Sequence, residues 1–186
     1  MVTLALLQQC TKDDRKAHYE LYKASFACMF NACKRYCFND DDVKSMVNMV
    51  FLKVVTNLNS FLEKERTIEA YELWVRRIAV NYMIDEFRKS KKYRQAMMLT
   101  SDFSLINLPE NTVFDFKEDM QEIMNAIAKL PVIARTIFTL YTIDGYKHKE
   151  IAAMMKITES TSKVHFHNAK IKLKAILMNK TITNFR

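Results

Sequence analysis

The chain has 186 residues, 49% of them hydrophobic, a formal net charge of +8 and a pI near 9.3. That length suits one domain or two small ones. One glycine and two prolines are too few for sheets with tight hairpins or for glycine-rich phosphate loops, so the expected class is all-α.

The surplus of basic charge favours a polyanionic partner, nucleic acid or an anionic membrane surface, although a solvated basic surface would give the same number. No apolar run approaches the roughly 20 residues a membrane span needs, and the stretch 1–10 lacks a basic leader and a cleavage pattern. A cytoplasmic protein without membrane insertion is therefore expected, with Cys10, Cys28, Cys33 and Cys37 reduced. Cys33 and Cys37 share a helix face and could join Cys28 or His18 around a metal. No CxxC pair supports that, so the cysteines are expected as small core hydrophobes, with no metal and no cofactor.

In chain order, Asp13 to about Tyr36 reads as one long helix with Leu21, Ser25, Cys28, Met29 and Ala32 at helical spacing. Asn39 to Asp42 supply a turn and candidate N-caps. A second helix follows, its buried stripe running through Val43, Met46, Val47, Val50, Phe51, Val54 and Leu58. Asn57, Asn59 and Ser60 end it, and Phe61 to about Thr67 is expected as a loop. A third helix spans about Ile68 to Tyr93. Its polar stripe places Arg77, Asn81, Asp85 and Arg88 on one face, and a basic tail begins at Arg88 and Lys89. Such a helix end suits contact with a DNA backbone, and equally a solvated C-terminus with cations on its dipole.

Thr100 to about Glu118 is acidic, aperiodic and still holds apolar Leu105, Ile106, Leu108, Val113, Phe114 and Phe116. It reads as a linker that docks rather than floats. The expected organisation is thus two small helical domains, 1–95 and 119–186, joined by an acidic linker at 96–118.

The last domain opens with Met120, Ile123, Met124 and Ile127 on one face. Leu130-Pro131 then breaks the chain and starts another helix, and Asp144-Gly145 turns it. From Tyr146 to Lys170 the pattern is a helix-turn-helix. Ile151, Ala152 and Met155 form the inner face of a short first helix, Lys156 and Ile157 the turn, and Thr158 the cap of a second helix. Ser162, Phe166, Ala169 and Leu173 face inward. Ser160, Thr161, Lys163, Val164, His167 and Asn168 are left on the side a recognition helix offers to the major groove, where Lys163 and Asn168 can read base edges. An ordinary helical hairpin with a solvated face is the competing reading.

No catalytic set competes. His148 and Glu150 are two apart, as are His165 and His167, so neither pair shares a face. HExxH, GxSxG and Walker patterns are absent. The expectation is a protein that is not an enzyme and takes no small-molecule substrate.

Two stretches carry a family resemblance. Leu130-Pro131 to Arg135, Asp144-Gly145-Tyr146 to Ala152, Ile157-Thr158 to Lys163 and Ala169 to Leu173 resemble region four of the extracytoplasmic-function (ECF) sigma factors. Phe51 to Val54, Phe61, Trp74 to Asn81 and Asp85 to Lys89 resemble region two of that family. The two lie in the right order and spacing and cover most of the chain. The resemblance implies a first domain that binds core RNA polymerase and reads the minus-ten promoter element. It implies a second domain that reads the minus-thirty-five element through Ser160, Thr161, Lys163, Val164, His167 and Asn168.

In the first domain, Asn81 falls where the family lines a pocket for a flipped base and Phe61 where its wall begins. Arg77, Arg88 and Lys89 would contact the strand, and Trp74 is as readily plain core. The implied polymerase contacts are Asp42, Ser45, Asn48, Met49 and Lys53, against the clamp helices of the largest subunit, with the flap a second contact. An anti-sigma factor is a further implied partner, beside promoter DNA.

Three departures stand out. Lys44, Ser45, Asn48 and Met49 replace acidic pairs usual in the family. Val164 and Asn168 stand where serine and arginine are common. Lys156 occupies a turn position that often holds glycine, so the turn must tolerate strain. Two other readings remain open at this point, a stand-alone helix-turn-helix regulator and a helical adaptor of sigma ancestry that does not bind DNA.

Overall fold

The computed structural model describes residues 1–37, 40–64, 67–90, 93, 95 and 120–183. Among these the chain is all-helical, without strands. Its contacts divide it into two compact units, Met1–Glu86 and Phe87–Arg186. The expected linker, with its apolar residues from Leu105 to Phe116, lies outside the described residues. No helix among the described residues is long and apolar enough to cross a membrane.

The first unit begins with α1 (Leu4–Cys10), capped by the Thr3 hydroxyl, which accepts from Leu6 N at 3.2 Å. The single helix expected from Asp13 starts only at Arg15, and α1 is a separate element before it. Asp13 takes a left-handed conformation (φ 58°) that ends the turn after α1. Asp14 then caps α2 (Arg15–Lys34), accepting from Lys16 N at 2.8 Å and Ala17 N at 3.3 Å. His18 Nε2 lies 2.8 Å from the Cys10 carbonyl and ties α2 to the end of α1.

Helix α3 (Asp40–Thr56) packs along α2. Asp41 and Asp42 lie in its first turn, where carboxylates favour the positive end of the helix dipole. Val43, Val47, Val50 and Val54 are all wholly buried, each stabilising by about 1.5–3 kcal/mol. The loop expected from Phe61 begins instead within a short helix, α4 (Leu58–Glu63), which buries Leu58 and Phe61. The polar Asn57, Asn59 and Ser60 stop α3 but do not prevent another turn whose apolar residues face the core.

Helix α5 (Ile68–Lys89) closes this bundle with Tyr71, Val75, Ala79 and Met83. The Tyr71 hydroxyl lies 3.0 Å from Ser25 Oγ in the interior, and burial pushes its pKa up to about 12. Cys10 and Cys33 belong to the same core, and burial raises the Cys33 thiol to about 12, so it behaves there as a small hydrophobe. Among the described residues no three His, Cys, Asp or Glu side chains gather as they would around a metal.

The second unit comprises α6 (Met120–Ala128), α7 (Val132–Thr142), α8 (His148–Met155) and α9 (Glu159–Thr183). Pro131 stands at the N-cap of α7. Ala126, Ile127, Leu130, Ala134 and Phe138 form one core with Ala169, Leu173 and Leu177 of α9. Arg135 is 8% exposed and donates through its guanidinium to the Ala128 carbonyl at 2.9 Å, closing the C-terminus of α6. Burial depresses its pKa.

Lys156 ends α8 in the left-handed region (φ 54°, ψ 45°), so the strain expected at this position is present. A side chain there costs about 1 kcal/mol relative to glycine. Lys156→Gly is accordingly expected to raise the stability of the second unit by about 1 kcal/mol. A urea or thermal melt of the full chain checks this, and an unchanged or lower midpoint would refute the strain.

Candidate nucleic-acid interface

The turn at Lys156 lets α8 and α9 cross. Ile157 N donates to the Ala152 carbonyl at 3.0 Å, satisfying one of the last carbonyls of α8. Thr158 caps α9 as the sequence predicts, accepting from Thr161 N at 3.0 Å. At the other end of α8, Lys147 N donates to Glu150 Oε2 at 2.8 Å. A lysine side chain has no acceptor to return, so this is only half of a capping box.

Ser162, Ala169 and Leu173 are buried as expected, and Phe166 is partly so, stacked on Phe138 with centroids 5.7 Å apart. Ile157, expected buried, is partly exposed. His165 is the inward residue that sequence reading missed. It is 5% exposed, and burial lowers its pKa. The other inward polar residue, Ser162, meets His148 Nδ1 across the turn at 2.9 Å.

All six predicted groove-facing residues stand on α9. Ser160 and Lys163 are exposed, and Thr161, Val164, His167 and Asn168 half-buried. With 3.6 residues per turn they occupy about one half of the helix circumference, opposite Ser162, Ala169 and Leu173. Lys163 Nζ lies 2.9 Å from Glu159 Oε1. Exposed pairs of this kind are worth only a few tenths of a kcal/mol, so a phosphate or base acceptor can displace Glu159.

The first unit carries a cavity of about 320 Å³ between α3, α4 and α5, lined by Lys53, Asn57, Ser60, Phe61, Lys64, Trp74, Ile78, Asn81, Tyr82 and Asp85. Phe61 and Trp74 form its aromatic wall, ring centroids 4.6 Å apart. Phe61 is buried in the core and Trp74 is half-buried against it, so each ring serves the core and the cavity at once. Asn81 brings an exposed amide to the opening. Lys53 lies over the Tyr82 ring at 5.5 Å. Of the other residues predicted to touch DNA here, Arg77 is exposed on α5 outside the lining, and Arg88 and Lys89 occupy the last turn of α5.

A third surface is the outer face of α3. Asp42, Ser45, Asn48, Met49 and Lys53 are all exposed there. Asn48 accepts from the Tyr22 hydroxyl at 2.9 Å. Leu52, which the sequence reading passed over, is 57% exposed beside Met49 at 46%, so this face has an apolar centre. Its signal was present in the sequence, since Leu52 falls opposite the valine stripe.

The hydroxyl–imidazole pair of Ser162 and His148 is not placed to act as nucleophile and base. Ser162 is wholly buried beneath α8, with no path for a substrate.

Residues 120–173 match the family described as Sigma-70, region 4. The chain is 26% identical over 174 residues to the ECF RNA polymerase sigma factor SigW of Bacillus subtilis, covering 88% of this chain and 90% of that one. It is 27% identical over 175 residues to the ECF RNA polymerase sigma-E factor of Escherichia coli, covering 89% and 88%. Its fold is similar to that of the sigma factor RpoE from Bartonella quintana, solved with the anti-sigma factor NepR. That likeness has a TM-score of 0.50 at 16% identity, over 86% of this chain and 97% of the other.

Buried His165 and half-buried His148 set a pH dependence. Burial depresses the pKa of His165; burial and then the Lys163 charge depress that of His148, with Glu159 opposing. The folded state therefore takes up protons less readily than the unfolded state. Stability from these groups is complete above the unfolded histidine pKa of about 6.5 and is lost as pH falls below it. The urea midpoint of the second unit should drop between pH 7.5 and pH 5. A midpoint unchanged or higher at pH 5 would contradict the assignment.

Proposed function

We propose that the chain, similar over nearly its whole length to ECF RNA polymerase sigma factors, is a sigma factor of that kind, which binds core RNA polymerase and directs promoter-specific initiation of transcription in the cytoplasm. What carries this reading is the pairing of two DNA-facing sites in one chain aligned to ECF relatives over nearly its full length. One is a base-sized cavity in the first unit, the other a helix-turn-helix in the second.

In this reading α9 lies in the major groove of the minus-thirty-five element. Lys163 and Asn168 read base edges, Ser160 and Thr161 meet phosphates near the helix N-terminus, and Val164 and His167 shape the fit. The cavity takes a base flipped from the minus-ten element. Phe61 and Trp74 supply an aromatic wall, Asn81 a donor and acceptor for the base edge, and Lys64 positive charge near the strand. Arg77, Arg88 and Lys89 track the backbone.

The outer face of α3, with Asp42, Ser45, Asn48, Met49, Leu52 and Lys53, meets the clamp helices of the largest polymerase subunit, while the second unit meets the flap. Its apolar centre supports this use, because Met and Leu exposed together on one helix gain by burial against a partner. An anti-sigma factor that covers these faces is the corresponding regulator, since the similarly folded RpoE was solved with one.

Two experiments test the reading. Tagged protein recovered from its host at moderate salt should bring down the two largest polymerase subunits. Met49→Asp with Leu52→Asp should abolish that recovery while leaving the melting curve unchanged. A folded, inhibitor-free chain that recovers no polymerase would sink the sigma reading in favour of a regulator or adaptor. Separately, Asn81→Ala should leave polymerase recovery intact and reduce promoter opening, read by permanganate footprinting, by about tenfold. Equal opening by the variant would remove Asn81 from the base site.

A further inference from the structure

Ser162 is wholly buried on the inward face of α9, where Ala169 and Leu173 contribute only apolar surface. Its partner comes from another helix, His148 Nδ1 at 2.9 Å. The imidazole is itself clamped by two rings. Tyr141 of α7 stacks on it, centroids 4.5 Å apart and planes 19° apart, and Phe166 of α9 meets it at 5.4 Å and 66°. Tyr141 and Phe166 also touch each other, centroids 4.5 Å apart. His148 thus joins the last turn of α7, the first turn of α8 and the first turns of α9.

Apolar burial is non-directional and tolerates rotation of one helix against another. A hydrogen bond between two side chains does not, because turning α9 by one residue takes Ser162 Oγ out of reach of His148 Nδ1 and leaves it only the Thr158 carbonyl one turn back. The Thr158 cap fixes where α9 begins, and the His148–Ser162 bond fixes how it is rotated.

We propose that His148 is a positioning residue for DNA reading: through Ser162 it sets the rotation and crossing angle of α9, and so the direction in which Lys163, Val164 and His167 meet the groove. The inference rests on the reading of α9 as the base-reading helix.

The test uses the full chain as wild type, His148→Phe, Ser162→Ala, the double variant, and Leu177→Ala, which thins the same core away from the crossing. His148→Phe keeps a ring between Tyr141 and Phe166 but takes from the Ser162 hydroxyl its partner on α8, and the double variant removes that hydroxyl too. Amide residual dipolar couplings of α8 and α9 in the free chain report their angle. Affinity is measured with core polymerase bound, for a duplex that the wild type selects from a random pool, at a temperature where every variant is folded by circular dichroism.

His148→Phe is expected to shift the angle and lower affinity about tenfold. The double variant should recover to within about threefold of wild type. Leu177→Ala should lower the melting temperature while leaving angle and affinity as they are. An unchanged angle in His148→Phe overturns the proposal. So does an affinity loss that Leu177→Ala matches, or a double variant worse than His148→Phe. If His148→Phe does not fold, Ser162→Ala must shift the angle, and its failure to do so is equally fatal. If the wild type selects no duplex, the promoter reading falls, while the dipolar couplings still decide the positioning role.

Discussion

The crossing of α8 over α9 is the constraint on which the second unit depends. It needs a left-handed residue at the end of α8, and the chain supplies Lys156 rather than glycine. A penalty of about 1 kcal/mol is small against the core it permits, since the wholly buried Ile151 and Met155 of α8 are each worth more. The same crossing leaves Ser160, Thr161, Lys163, Val164, His167 and Asn168 on the outer half of α9. Strain, burial and the exposed polar half of α9 are therefore one arrangement seen from three sides.

In the first unit the analogous economy lies in the aromatic rings. Phe61 packs edge-on against Tyr71 at 5.8 Å and lies against Trp74 at 4.6 Å. Tyr71 in turn holds Ser25 across the bundle. The cavity wall is continuous with the core, so the wall cannot collapse into the empty cavity without disturbing buried contacts. A site rigid before it is filled loses less conformational entropy on binding. The expectation that Trp74 serves the core and the expectation that Phe61 lines a base site are, in this geometry, compatible.

Much of this was legible in the sequence. Near absence of glycine gave the helical class. The valine stripe of α3 is wholly buried, and Thr158 caps α9 where the spacing puts it. What escaped has physical reasons. Asn57, Asn59 and Ser60 mark a stop and 61–67 a loop, although Leu58 and Phe61 repeat at helical spacing, because turn-forming polar residues and a short helix use the same residue types. The break at Asp13 was hidden because aspartate favours both a left-handed turn and the cap that follows it. Ser162 falls on the inward face that the spacing gives, but the burial of His165 and the pairing of His148 with Ser162 were invisible, because histidine carries no periodic hydrophobic signal. Their burial is decided by partners on other helices, which a single helical wheel does not contain.

The surfaces also differ in the kind of energy they offer. The helix-turn-helix face presents Lys163 and neighbouring polar groups, in a chain with net charge +8. Attraction of that kind to a polyanion weakens steeply with salt as counterions compete. The outer face of α3 has Met49 and Leu52 at its centre, with Lys44 already 3.7 Å from Asp41 in its first turn. Contact there draws on apolar burial, which salt does not screen. In the sigma reading, the acidic pairs usual in the family are replaced by a surface whose grip on polymerase persists as its grip on DNA is tuned by ionic strength. The loss of acidic residues from α3 is then a change in the type of contact rather than the absence of one.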